Sequence, residues 1–63
     1  MTMNGKELLK RLLNDGWVLV RIQGSHHIVQ KGSQTEVIPV HGNTDLPKGL
    51  LSAIIKRTGL KVI

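Results

Sequence analysis

The 63-residue sequence has no cysteine, and its only aromatic residue is Trp17. Without a thiol the chain can form neither a disulfide nor a thiolate zinc site, which suits a reducing compartment. No apolar run approaches the roughly 18 residues that a membrane span needs, so we expect a soluble, cytoplasmic domain with no membrane partner. One aromatic ring is also too few for the base-stacking platforms that bind single-stranded nucleic acid.

Acidic residues are scarce as well, and Asp45 is the last of them. Nine lysines and arginines stand against four acids, which gives a net charge of +5 and a pI near 10.3. This balance favours a polyanionic partner, most commonly nucleic acid, although a protein can also be basic for solubility or to dock an acidic protein. Basic side chains after the last acid form a candidate strip for phosphate contacts: Lys48, Lys56, Arg57 and Lys61.

With 63 residues and a mass of 7.0 kDa, the chain has room for one domain, predicted over residues 1–63. A chain of this size buries only roughly 60% of the surface that its unfolded form exposes, so its core is small. The apolar fraction of 40% is typical of a folded rather than a disordered chain.

The first helical pattern covers residues 4–15. Asn4 is a good N-cap, and Glu7 follows three residues later as in a capping box. Gly16 can adopt the left-handed conformation that ends a helix. Leucines at helical spacing form one apolar stripe: Leu8, Leu9, Leu12 and Leu13.

The second helical pattern covers residues 46–58 and ends at Gly59. Pro47 lies in its first turn, where the missing N–H costs nothing, and Thr44 or Asp45 is the expected cap. The apolar stripe has the same spacing as in the first helix: Leu50, Leu51, Ile54 and Ile55.

Between the helices the apolar period changes from 3.6 to 2, which predicts strands over residues 17–23, 26–31 and 35–40. Gly24-Ser25 suits a two-residue type II′ turn between the first two strands. These elements predict an α+β fold in the order α-β-β-β-α. The sheet has three antiparallel strands, with both helices packed on one face.

Two features orient the strands within this sheet. Pro39 has no N–H to donate, which places the third strand at an edge. In the first strand, Val18, Val20 and Ile22 alternate along the chain, and we expect this row to face the helices. The opposite face of the sheet then remains open to water or to a ligand.

A two-residue turn at Gly24-Ser25 determines which residues share a face. The expected pairs are Gln23 with His26, Ile22 with His27, Arg21 with Ile28, and Val20 with Val29. This pairing places His27 under the helices and His26 on the open face beside Arg21. A slip of one residue would invert the assignment.

On the open face, His26 has the chemistry needed to cleave a phosphodiester. Its imidazole can take the proton from a ribose 2′-OH or protonate the leaving oxygen. Arg21 or Lys31 can stabilise the charge that develops on phosphorus, beside the exposed backbone N–H groups of Gly24 and Ser25. The plainer alternative is an ordinary exposed strand histidine.

The other two histidines leave further alternatives open. His27 is either a second catalytic candidate or a half-buried histidine that donates to a backbone carbonyl. His41 lies in the polar loop after Pro39 and can approach either of the others. Because adjacent strand residues point to opposite faces, His26 and His27 cannot chelate one ion, and no carboxylate stands nearby at ligand spacing. We therefore expect no metal and no cofactor.

Six short motifs follow one another along the chain. They are Asn4-Gly-Lys-Glu-Leu-Leu-Lys-Arg-Leu, Asp15-Gly-Trp17, Gly24-Ser-His-His27, Val37-Ile-Pro-Val40, Leu46-Pro-Lys-Gly-Leu50 and Thr58-Gly-Leu60. In this order and spacing they resemble the HicA family of bacterial toxins over essentially the whole chain. The resemblance implies a fold like that of double-stranded-RNA-binding domains and metal-free cleavage of mRNA. It also implies a HicB-like antitoxin that covers the active face.

The resemblance assigns catalysis to a histidine just after the turn, which here is His26 or His27. Gly24 and Ser25 become the turn that positions it, and the strand pairing favours His26. The basic residues chosen as substrate contacts are Arg21, Lys31 and Lys48. A non-catalytic RNA-binding module of the same fold is the alternative function.

Overall fold

The computed structural model describes residues 2–61, which fold into two helices and a three-stranded antiparallel sheet. The elements are α1 (Gly5–Asn14), β1 (Val18–Gln23), β2 (His26–Lys31), β3 (Gln34–Pro39) and α2 (Lys48–Thr58). The strands pair in the order β1-β2-β3, so β2 is central and the other two strands are edges. The predicted α+β order, α-β-β-β-α, is confirmed.

α1 begins with the predicted capping arrangement. The Asn4 Oδ1 accepts a hydrogen bond from the Glu7 N–H at 2.8 Å. The first helical residue, Gly5, packs against the backbone of Pro39 and Val40, and a Cβ at this position would overlap the Pro39 carbonyl oxygen. Glycine is therefore required here by the close approach between the start of α1 and the end of β3.

α2 is not capped as the sequence predicts. The helix begins at Lys48, two residues later than expected, and its N-cap is Pro47, with no hydrogen bond from a capping side chain. The predicted caps Thr44 and Asp45 are wrong because they lie too far upstream of this start. Asp45 instead forms an isolated backbone bridge with Asn4, which ties the loop before α2 to the start of α1.

One apolar core lies between the helices and one face of the sheet. Each helix contributes two nearly fully buried members of its predicted stripe, and β2 and β3 contribute Val29 and Ile38. Both helices therefore cover the same face, as predicted, and each fully buried aliphatic side chain stabilises the fold by roughly 1.5–3 kcal/mol. Leu13, at the margin of its stripe, is 40% exposed. The buried core residues are Met3, Leu8, Leu12, Trp17, Val29, Ile38, Leu46, Leu51, Ile54 and Leu60.

A bulge in β1 makes this strand depart from simple alternation. Leu19 pairs with Val29 and Arg21 pairs with Ile28, so Val20 is an extra residue opposite a continuous partner strand. A bulge of this kind re-aims the side chains that follow it. Leu19, before the bulge, faces the core opposite Val29, and the bulge turns Arg21, two residues later, to the open side.

Of the predicted inward row of β1, only Ile22 lies on the helix-covered face, because it pairs with His27. Val18 instead pairs with Gln30 on the open side. Val18, Val20 and Ile22 are 60%, 50% and 55% exposed, and the predicted pairing of Val20 with Val29 is wrong. The buried positions belong to Trp17, at 3% exposure, and to the half-buried Leu19. An indole offers much more apolar surface to bury than a valine side chain does, which favours this choice of face.

Both helices end beside the turn between β2 and β3. The Lys31 Nζ donates a hydrogen bond to the carbonyl oxygen of Asp15, the C-cap of α1, at 2.8 Å. The Gln34 Nε2 donates to the carbonyl oxygen of Arg57 in the last turn of α2 at 2.9 Å. The Arg57 guanidinium in turn holds the buried Glu36 carboxylate through hydrogen bonds of 3.0–3.3 Å. Polar contacts thus fasten both helix ends to the sheet.

α2 ends at Gly59, as predicted, with a left-handed φ of 69°. Leu60 then packs into the core, and the remainder of the predicted extended piece, residues 62–63, lies outside the described residues. Neither helix in the described part of the chain is long and apolar enough to cross a membrane.

Candidate active site

The turn between β1 and β2 sends the two adjacent histidines to opposite faces of the sheet. Gly24 has a φ of 60°, the left-handed value that the first position of a type II′ turn requires. The turn pairs Gln23 with His26 and Ile22 with His27, which confirms the predicted register at this end. The bulge lies earlier in β1, at Val20, and leaves these pairs intact.

His26 is exposed on the open face of the sheet. Its cross-strand neighbours are Gln23 on β1 and Pro39 on β3. Arg21, which pairs with Ile28, is the diagonal neighbour of His26 on the same face. Diagonal neighbours are about 7–8 Å apart, within reach of a long side chain. The predicted combination of an imidazole and a guanidinium on one face is therefore present.

His27 lies half-buried on the helix-covered face, opposite the fully buried Ile38. Its Nδ1 is 3.3 Å from the carbonyl oxygen of Ser25. Because a carbonyl oxygen can only accept a hydrogen bond, this nitrogen carries the proton that it donates. His27 thus makes the structural contact that the sequence left open as one alternative, and this contact holds the backbone of the turn.

A third histidine reaches the same turn. The ladder of β3 continues past its last residue, since the Val40 N–H donates to the Ser25 carbonyl oxygen at 2.7 Å. This contact brings His41 beside the turn, where its Nε2 lies 3.5 Å from the Ser25 Oγ. The sequence places His41 only in a loop near the other histidines. Its position two residues after Pro39, the partner of His26, is the signal that locates it.

Two of the predicted basic contacts lie elsewhere. Lys31 is at the other end of β2, where its Nζ is bound at the C-terminus of α1. Lys48 is exposed at the first residue of α2. The residues that the structure does bring together at the first turn are Arg21, Gly24, Ser25, His26 and His41.

Beside these polar groups, the open face carries an apolar patch formed by Val18, Ile28 and Val37. Ile28 is only 6% exposed, yet it is not part of the core under the helices. Its neighbours Val18 and Val37 are 60% and 47% exposed. Within residues 2–61, neither helix packs on this side of the sheet. A patch of this kind is typical of a surface that another molecule covers.

The groups around the first turn suit acid–base chemistry on an anion. Two imidazoles can move protons, a guanidinium can stabilise negative charge, and the net charge of +5 attracts a polyanion. Among residues 2–61, no three histidine, aspartate or glutamate side chains stand together as potential metal ligands.

A comparison with known protein families identifies this fold from its sequence. A family model described as the HicA toxin of bacterial toxin-antitoxin matches residues 5–60, a segment that includes both helices and all three strands. No curated protein matches the chain.

Proposed function

The chain belongs to the HicA toxin family, and on this basis we propose that it is an endoribonuclease that cuts mRNA with His26 and without a metal ion. Members of the family act in bacterial toxin–antitoxin systems with an antitoxin partner. The observation that supports the proposal most is the position of His26. Its ring is exposed on the open face beside the Gly24-Ser25 turn, and Arg21 lies on the same face.

The proposed reaction is an internal transfer of the phosphodiester. The ribose 2′ oxygen attacks the adjacent phosphorus, its proton passes to a base, and the bond from phosphorus to the 5′ oxygen breaks. The leaving oxygen gains a proton, so the products are a 2′,3′-cyclic phosphate and a 5′-hydroxyl. An imidazole can perform either proton transfer near neutral pH, and His26 performs one of them.

The substrate contacts of the proposal come from the same end of the sheet. Arg21 stabilises the negative charge on phosphorus, and the turn residues Gly24 and Ser25 leave room for a phosphate to approach the backbone. Lys48 contacts the RNA backbone further along, so binding weakens as salt rises. Lys31 has no part in this arrangement because its ammonium group is held at the end of α1.

The test is RNA cleavage in EDTA by the parent and by the single variants His26→Ala and His27→Ala. We expect His26→Ala to lower the rate on the order of 10²–10⁴-fold without a change in the circular dichroism spectrum. Mass spectrometry of the parent reaction should find 5′-hydroxyl fragments.

Each contrary outcome has a distinct meaning. Equal cleavage by the parent and both variants contradicts histidine catalysis. Selective loss in the folded His27→Ala protein moves the role to His27, and loss of the parent activity in EDTA contradicts metal independence. Salt-sensitive RNA binding without any cleavage supports the alternative, a non-catalytic RNA-binding module.

For the partner, the proposal is a HicB-like antitoxin that covers the open face. The patch of Val18, Ile28 and Val37 supports it because it adjoins His26, and the net charge of +5 complements an acidic protein. Expression of the chain alone should arrest growth, and co-expression of the antitoxin should relieve the arrest. Val37→Lys should weaken this relief, whereas the matched variant Thr35→Lys on the same face should not. Equal relief in both variants would place the antitoxin elsewhere.

A further inference from the structure

The contact between His41 and the first turn has no role in the mechanism proposed above, which assigns proton transfer to His26. The His41 Nε2 lies 3.5 Å from the Ser25 Oγ, and both side chains reach the surface. The backbone on either side of this contact is held, because the Val40 N–H donates to the Ser25 carbonyl oxygen at 2.7 Å. The ring is therefore positioned beside the turn by the strand that precedes it.

The loop that follows His41 is also tied down. The Thr44 N–H donates to the His41 carbonyl oxygen at 3.0 Å, which closes a tight turn. Asp45 then forms the backbone bridge with Asn4, and the Leu46 N–H donates to the Met3 carbonyl oxygen at 2.8 Å. Both ends of the loop are fastened, so His41 has a defined place rather than a free loop position.

The same register places His41 close to His26. Pro39 is the direct cross-strand partner of His26, and His41 lies two residues beyond Pro39. β3 ends at Pro39, but the bond from the Val40 N–H to the Ser25 carbonyl oxygen extends the pairing toward His41. Diagonal neighbours in a paired ladder are about 7–8 Å apart, which sets the scale of this separation. His26 thus has Arg21 on one side and His41 on the other.

Cleavage of RNA by internal phosphoryl transfer needs two proton movements at different atoms. One proton leaves the 2′-hydroxyl, and another reaches the 5′ oxygen as its bond to phosphorus breaks. His27 is poorly placed for either because it lies on the helix-covered face with its Nδ1 bound to Ser25.

We propose that His41 is the second proton-transfer group, so that His26 and His41 act as a base and acid pair. This inference rests on the proposed endoribonuclease function. In each turnover the 2′ proton passes to one imidazole, and the protonated ring of the other gives its proton to the leaving 5′ oxygen. The Ser25 hydroxyl holds the His41 ring, so Ser25 is a positioning residue.

The main test compares His41→Gln with Asp45→Asn, which changes the other titratable side chain of the same loop. Glutamine keeps a side-chain amide able to bond the Ser25 Oγ but cannot transfer a proton. His41→Gln should therefore lose activity on the order of 10²–10⁴-fold with an unchanged urea midpoint. Asp45→Asn should cut within a few-fold of the parent rate.

A substrate with sulfur in place of the 5′ bridging oxygen separates the two roles, because a thiolate leaves without being protonated. His26→Ala and His41→Gln are each tested on this RNA. One of the two variants, and not the other, should regain a rate close to that of the parent, which identifies the acid.

The outcomes distinguish this inference from the proposed function. If His26→Ala is inactive and His41→Gln cuts like the parent, the role of His41 is wrong and the nuclease proposal stands. Recovery of neither variant, or of both, on the sulfur-containing RNA also overturns the pairing. If the parent cuts no RNA at all, the nuclease function itself fails.

Discussion

The two Gly-Ser turns of the sheet have similar backbones and different surroundings. Gly24 and Gly32 each have a φ of 60°, and a Cβ at either position would meet nothing within 4 Å. Histidines surround the first turn, whereas the second is flanked by Lys31 and Gln34, whose side chains bind the ends of the helices. The same dipeptide therefore reverses the chain at both ends of the sheet, and the side chains around each turn determine what that end can do.

The direction of the helices explains this difference. A helix C-terminus has free carbonyl groups and a partial negative charge, which the Lys31 ammonium group satisfies at the end of α1. The N-terminus of α1, at Gly5, instead abuts the end of β3 near the histidines. A helix N-terminus has a partial positive charge that favours anions. One end of the molecule is thus closed by its own contacts, whereas at the other end Arg21, His26 and His41 remain exposed.

The largest expected effect comes from forcing the start of α1 away from the end of β3, the strand end near the histidines. Gly5→Ala places a methyl group against the Pro39 carbonyl oxygen, where backbone must move to admit it. We expect the free energy of unfolding to fall by about 3 kcal/mol, at the upper end of the usual cost of overpacking. Urea titration followed by circular dichroism measures it.

The matched control is the other helical glycine, Gly49. A Cβ there meets nothing within 4 Å, so Gly49→Ala should raise the free energy of unfolding by about 0.5 kcal/mol, owing to the better helix propensity of alanine. Equal midpoints for the two variants would mean that α1 is not held against β3 as described.

The second prediction weakens the contact that holds the end of α2 against β3. Glu36→Gln removes the charge of a carboxylate whose side chain is 9% exposed and which pairs with Arg57 at 3.0 Å. The Arg57 side chain is 52% exposed, so solvent screens part of the loss, and we expect about 2 kcal/mol. Thermal and urea unfolding both measure it.

Glu7→Gln is the control, because it makes the same chemical change in an exposed ion pair with Arg11. The side chains of Arg11 and Glu7 are 42% and 52% exposed, and the loss should stay below about 0.5 kcal/mol. If the two glutamate variants lose the same stability, the contact between Glu36 and Arg57 does not fasten α2.

Local signals predicted most of this fold. The cap at Asn4, the apolar stripes of the two helices and Gly59 each depend on a few neighbouring residues, and all are confirmed except for the exposed Leu13. The orientation of β1 failed because a bulge is a contact between strands, which alternation along one strand cannot reveal. The residues Trp17 and Leu19 do indicate the correct face. If both are buried and the alternation is unbroken, Arg21 also points inward without a partner, and a bulge avoids this.

In the candidate site too, some positions follow from local signals and others depend on contacts between distant residues. The positions of His26 and His27 follow from a two-residue turn, so the sequence predicts their faces. The approach of His41 to Ser25 depends on the pairing of β3 with β2 and on the loop contacts beyond it. Such contacts join distant parts of the chain, so the position of His41 after Pro39 becomes informative only once the pairing of β3 with β2 is known.

The smallest effects are expected from two variants that each remove one positive charge, one at each end of the sheet. Arg21→Gln at the open face should lower kcat/KM for RNA about tenfold, equivalent to about 1.4 kcal/mol, and leave the urea midpoint unchanged. Lys31→Gln should lower the free energy of unfolding by about 1 kcal/mol, because the hydrogen bond to Asp15 is lost. Its effect on kcat/KM should be smaller than that of Arg21→Gln, since it removes one positive charge far from His26. The reverse order would mean that phosphate contacts extend to the second turn, and the distinction between the two ends would not hold.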